Sequence, residues 1–194
     1  MTRGGVLTLP NLLTLLRIAL APVFLWLYVA GDARRALAVF AAAAATDLLD
    51  GLAARALDQR TRLGAFLDAI ADKFLLACGL FALAARGQIP WWLPVLVVAR
   101  DVAQLAAAAW LSSTHRAVPV APTRIGKYAT FTLVALVVVA LAGEFQALGG
   151  SVLAPFVAAL GLLAAECVAV SWIQYFLYFI RSARLPPGFG ADAR

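Results

Sequence analysis

TDLLDGLAARALDQRTRLGAFLDAIADK, residues 46–73, sets Asp47, Asp50, Asp68 and Asp72 into a largely apolar setting. Asp47 and Asp50 are three residues apart and Asp68 and Asp72 four apart, so on a helix each pair shares one face. An aspartate at the centre of a membrane helix costs about 2.5–3.5 kcal/mol on insertion scales, and four would cost roughly 10–14 kcal/mol, less near an interface. A chain carries that burden only where water, cations or metal compensate it. The stretch predicts two helices joined by a short polar turn at 58–62. The pairs lie two to three turns before and after that turn, so they can face each other at similar depth. Gly51 and Gly64 leave room for whatever the carboxylates hold.

The surrounding composition says which solvent this is. Of 194 residues, 64% are hydrophobic and 13% charged, and the mean hydropathy is +0.91. A soluble domain is about 45–50% apolar and about 25% charged, so the chain reads as an integral membrane protein. Apolar runs bounded by charge, Gly or Pro fall near 11–30, 35–57, 62–85, 91–112, 128–147 and 152–180. In lipid such segments satisfy their backbone groups as helices, and each is long enough to span a bilayer at about 20 residues. The expected fold is all-α, an integral membrane bundle of six transmembrane helices. It forms a single domain over 1–194, with a disordered tail at about 182–194. Arg3 before an apolar stretch has the look of a secretory leader. Arg17 and Pro22 interrupt that stretch, so an uncleaved first helix is expected. Cys78 and Cys167 sit within apolar runs and read as packing residues.

Lys and Arg give the orientation. With the amino terminus inside, ten fall on inner segments and three (Arg34, Arg35, Arg86) on outer ones. That bias predicts both termini and the aspartates on the cytoplasmic side of the cell (inner) membrane. The net charge of +6 suits anionic lipid headgroups. No basic stripe interleaved with aromatics points to nucleic acid.

Clustered carboxylates without nearby His or Cys are hard oxygen ligands, suited to Mg²⁺, Mn²⁺ or Ca²⁺. Four of them balance two divalent ions, and paired ions are a recurring device for displacement at phosphorus. Arg55 offers a bidentate phosphate contact, and Gly51 and Ala54 form a smooth face for a nucleotide. These residues predict metal-assisted phosphoryl chemistry at the inner membrane boundary.

The pattern Asp47-x2-Asp50-Gly51-x2-Ala54-Arg55-x8-Gly64-x3-Asp68-x3-Asp72 resembles the signature of the CDP-alcohol phosphatidyltransferase family, with every fixed position filled. The resemblance implies a homodimeric membrane enzyme that joins a CDP-linked lipid such as CDP-diacylglycerol to an alcohol and releases CMP. It implies two divalent ions, Mg²⁺ or Mn²⁺, held by Asp47, Asp50, Asp68 and Asp72. Asp47, Gly51, Ala54, Arg55 and Gly64 would bind the CDP moiety, and Asp72 would be the general base.

The pattern does not name the acceptor. The start Pro10-Asn11-Leu12-Leu13-Thr14 leading to Arg17, and Gly126-Lys127-x2-Thr130, resemble the phosphatidylglycerophosphate synthase and cardiolipin synthase branches. Leu133 stands where those branches often have glutamine. Arg17, Arg100, Arg116, Arg124 and Lys127 are the candidate acceptor-binding residues, the last three forming a basic inner loop. Arg17 reads equally as a cation snorkelling to the headgroups, Arg100-Asp101 as an interhelical ion pair, and Lys73 as a charge partner within the cavity. Glycerol 3-phosphate is the expected acceptor, ahead of phosphatidylglycerol, with inositol phosphate, serine or another alcohol behind both. A cation-coupled transporter is the rival class, since intramembrane aspartates also mark ion paths. It would spread them through several helices rather than cluster them on two.

Overall fold

The computed structural model of the chain describes residues 9–56, 62–113, 124–144 and 150–184. They form six helices: α1 (Leu9–Val29), α2 (Ala33–Ala56), α3 (Arg62–Ala85), α4 (Trp92–Ser113), α5 (Arg124–Gly143) and α6 (Gly150–Arg184). The all-helical expectation holds, with six helices near the six apolar runs. Among the described residues three segments, Asn11–Val29, Ile125–Gly143 and Val152–Leu177, are long and apolar enough to cross a membrane. The other three helices carry charges along their length, among them Asp47 and Asp50 on α2, Asp68, Asp72 and Lys73 on α3, and Arg100 and Asp101 on α4.

Two differences from the sequence expectation concern ends. Helix α5 begins at Arg124 rather than near 128, so Arg124 and Lys127 stand in its first turns and not in a loop. Pro122 just ahead of this start cannot continue a helix but can precede one. Helix α6 runs on to Arg184, past the expected limit at 180, so residues 182–184 of the predicted tail are helical.

The turns are built from local chemistry. After α1, Gly31 takes φ +92°, and the Asp32 amide donates back to the Leu27 carbonyl at 3.1 Å, a Schellman closure. Asp32 then caps α2, its Oδ1 accepting from the Arg35 amide at 3.1 Å. Gly87 repeats the device after α3, with φ +72° and the Gln88 amide donating to the Leu83 carbonyl at 3.0 Å.

One stripe of α1 organises the packing. Asn11, Thr14, Arg17, Ala21, Phe24 and Tyr28 recur at helical spacing, and all are buried. The half near Tyr28 is apolar and the half near Asn11 polar. Helix α1 packs closely on both α2 and α3, and α5 packs on α6. Ala36 and Ala43 let α2 approach α1. Gly79 does the same for α3, since a Cβ there would meet the Val137 methyls of α5 at 3.1 and 3.2 Å. Large apolar side chains on the outside, Trp26, Phe131, Leu162 and Phe176 among them, suit a lipid-facing surface.

Candidate active site

The polar half of the α1 stripe faces the third-helix aspartates. Arg17 Nη1 donates to Asp68 Oδ1 at 2.9 Å and to Asp72 Oδ1 at 2.5 Å. The Arg17 side chain is fully buried, while those of Asp68 and Asp72 are 42% and 53% exposed. A buried guanidinium needs anionic partners to offset its desolvation, and these two carboxylates supply them. The four-residue spacing that puts both aspartates on one face of α3 is what lets one nitrogen reach both.

Beside this contact lies a cleft of about 500 Å³ lined by residues from each of α1 to α5. Phe40 and Ala44 of α2 and Ala69 and Asp72 of α3 all line it, with α1 packed against both helices. Its polar lining comprises Arg17, Asp72, Lys73, Arg100, Asp101 and Thr130. Its apolar wall includes Leu133, Val134, Val137 and Val138 of α5. The α5 residues follow from helical spacing, which carries the Thr130 face up into the Leu133 and Val137 positions.

The remaining charges are tied to one another. Lys73 Nζ lies 2.8 Å from Asp101 Oδ1, and Arg100 Nη1 donates to the same oxygen at 3.4 Å. The Ser171 hydroxyl of α6 accepts from Arg100 Nη2 at 2.8 Å and from Nε at 3.2 Å. Lys73 is thus a charge partner inside the cavity, and Arg100-Asp101 an interhelical tie as well as a cleft wall. Ser171 is invisible to sequence reasoning. A lone serine in an apolar helix carries no signal until its partner, 71 residues earlier, is placed beside it.

Of the other sequence-predicted residues, Gly64 lies in the first turn of α3, half-buried. Lys127 is exposed on α5, three residues before Thr130. Asp47, Asp50, Gly51, Ala54 and Arg55 belong to the last turns of α2. Their side chains, and that of Arg124, lie outside the described residues, as does the whole of Arg116. Among the described residues no three His, Cys, Asp or Glu side chains cluster. The donor chemistry nonetheless fits a hard divalent ion. Asp68 and Asp72 are close enough to share one guanidinium nitrogen, and two carboxylates so placed can share one cation.

A helical protein whose described residues include three membrane-length apolar helices around a cleft lined by charged side chains is a membrane protein with a polar site. Its family follows from comparison: the profile of the CDP-alcohol phosphatidyltransferase family matches residues 7–178, and the chain belongs to that family. It is 42% identical over 106 residues to a probable phosphatidylglycerophosphate synthase of Mycobacterium tuberculosis, covering 52% of this chain and 51% of that protein. It is 38% identical over 123 residues to the CDP-diacylglycerol–glycerol-3-phosphate 3-phosphatidyltransferase of Pseudomonas fluorescens, covering 58% and 60%. It is 41% identical over 122 residues to human cardiolipin synthase (CMP-forming), covering 62% and 40%. The chain spans about half the length of the curated relatives it matches.

Proposed function

We propose that the protein transfers a phosphatidyl group from CDP-diacylglycerol to the hydroxyl of glycerol 3-phosphate, releasing CMP. The observation that carries this reading is the cleft itself. It sets the Asp72 and Asp101 carboxylates among three cationic side chains, Arg17, Lys73 and Arg100, under an apolar wall. That is the pairing of anion-binding and acyl-accommodating surface that a phospholipid donor requires. Family membership and the activities for which two relatives are named support the same reaction.

Asp47, Asp50, Asp68 and Asp72 are the residues that would hold two divalent ions, Mg²⁺ or Mn²⁺. When bound, the ions would neutralise charge developing on the diphosphate. Asp72 takes the proton of the acceptor hydroxyl. The hydroxyl oxygen forms a bond to the phosphorus bearing diacylglycerol, and the bond from that phosphorus to the CMP oxygen breaks, the electron pair leaving with CMP. Gly51, Ala54 and Gly64 let the nucleotide approach the backbone, and Arg55 meets its phosphate. Lys127, Arg124 and Arg116 hold the acceptor's own phosphate. Proximity supplies much of the rate, because the cleft holds both substrates at one interface. In this reading all six helices span the cell membrane, with both termini and the site cytoplasmic, and the working unit is a homodimer.

The apolar wall formed by Leu133, Val134, Val137 and Val138 also suits a lipid acceptor. Phosphatidylglycerol, the acceptor of a cardiolipin synthase, is therefore the second reading. Purified protein incubated with CDP-diacylglycerol, Mn²⁺ and each acceptor separately decides between them. Metal-dependent CMP release is expected with glycerol 3-phosphate, and with Asp68→Asn or Asp72→Asn it should fall at least 100-fold. Release with phosphatidylglycerol alone moves the assignment to the second reading. No CMP with any acceptor, or full activity in both variants, refutes the site.

A further inference from the structure

We infer that Arg17 is a built-in counter-cation for the Asp68–Asp72 pair, and that it competes with a divalent ion for the same two oxygens. The inference rests on the reading that Asp68 and Asp72 are metal ligands, and it concerns what occupies them otherwise.

Arg17 is not the snorkelling cation its sequence position also allows. A snorkelling arginine reaches headgroups and stays solvated, whereas this side chain is fully buried. Here Nη1 is spent on Asp68 Oδ1 and Asp72 Oδ1, at 2.9 and 2.5 Å. The arrangement is fixed from behind, because Thr14 and Ala21, a turn to either side on the α1 stripe, are buried too, and α1 is packed on α2 and α3. The guanidinium therefore has little freedom to sit elsewhere.

The position has a chemical meaning. One nitrogen lies in the mouth between two carboxylates, which is where an ion bridging them would bind. Without a cation there, two like charges one helical turn apart would repel in a partly desolvated site. Arg17 offsets that repulsion. A doubly charged ion drawing on the same Oδ1 atoms meets the guanidinium's positive charge and must displace its hydrogen bonds. Holding two carboxylates together also pre-organises a site, as outer hydrogen-bond partners of metal ligands do. Here the bridge uses the ligand oxygens themselves, so competition outweighs support. The role is that of a positioning residue, which lets the acidic cluster fold before it is loaded.

Detergent-solubilised Arg17→Gln and Arg17→Lys proteins, purified with Mn²⁺, stripped with chelator and retitrated, test this without reference to turnover. Free Mn²⁺ is read by electron paramagnetic resonance, and thermal unfolding is followed with and without the ion. Arg17→Gln should bind Mn²⁺ at least tenfold more tightly than wild type. Its unfolding temperature should fall in the stripped protein and recover with Mn²⁺. Arg17→Lys keeps the charge but bridges both carboxylates less well, and should bind about threefold more tightly. It decides the matter if the stripped glutamine variant aggregates. Affinity equal to or weaker than wild type in the variants overturns the inference and makes Arg17 a clamp. A wild type that binds no Mn²⁺ overturns instead the metal reading beneath it.

Discussion

At the scale of single residues, Arg100 shows how a charge is kept in an apolar bundle. Its side chain is 6% exposed, and its donors are shared between Asp101 on its own helix and Ser171 on α6. Ser171→Ala removes the acceptor for both Nε and Nη2, and leaving buried donors without a partner costs about 1–3 kcal/mol. The variant should therefore unfold at a lower temperature in detergent. It should also lose activity, because Arg100 lines the cleft beside Lys73 and Asp101. Unchanged unfolding would show that water replaces the hydroxyl without loss. The same residues mark where sequence stops being informative. The aspartate spacings, Gly51, Arg55 and Gly64 are local, so they are legible in one line of sequence. The partners of Arg17 lie 51 and 55 residues away, and no periodicity reports such a pairing. Sequence therefore leaves snorkelling and anion binding level, and the burial of the side chain against α3 speaks against the first.

At the scale of elements, the six helices are legible because apolar runs of spanning length have no other way to satisfy their backbones. The start of α5 is not, since Arg124 and Lys127 after a proline give a loop-like composition. Composition does not distinguish a basic loop from a basic first turn. Two glycines carry contrasting demands that a sequence alone does not separate. Gly87 closes α3 at φ +72°, with nothing within 4 Å of where its Cβ would be. Gly79 sits on α3 with ordinary helical geometry, and the Val137 methyls lie 3.1 and 3.2 Å from the corresponding point. Gly87→Ala should cost about 1–2 kcal/mol through backbone strain alone, and Gly87→Asn less. Activity in both should be retained. Gly79→Ala should cost about 1–3 kcal/mol through overpacking and should also alter turnover, because Val137 is part of the cleft wall. Thermal unfolding and CMP release measured on all three separate strain from crowding. Equal activity loss in the Gly79 and Gly87 variants would contradict the distinction.

Across the whole molecule, the two ends of the bundle are held by different chemistry. The Arg17 site and the Lys73–Asp101–Arg100 chain lie toward one end. At the other, Tyr28 of α1, Gln88 of the α3–α4 turn and Glu144 after α5 meet. The tyrosine hydroxyl is 3.0 Å from both Gln88 Oε1 and Glu144 Oε1, and Gln88 Nε2 donates to Glu144 Oε1 at 2.8 Å. Arg86 completes this group, with Nη2 3.5 Å from Glu144 Oε2 and its guanidinium 5.8 Å from the Tyr28 ring centre. No local pattern announces this clasp, because its members come from three separate segments. A polar cluster at each end and apolar packing between them suit a bundle that crosses a bilayer, and the distribution of Lys and Arg favours the proposed orientation, with the Asp47–Asp72 end inside. The test is cysteine accessibility in intact cells, on a background with Cys78 and Cys167 replaced by alanine. Ala30→Cys, in the α1–α2 turn beside the clasp, and Gln146→Cys, two residues after Glu144, should react with a membrane-impermeant maleimide added outside. Gln59→Cys, between α2 and α3, should react only after permeabilisation. Labelling of Gln59→Cys in intact cells would place the aspartates outside, away from a nucleotide-linked substrate made in the cytoplasm, and would refute the orientation. Labelling of all three at equal rates would refute the spanning arrangement itself, since the polar ends of α2 and α3 would then share one side of the membrane.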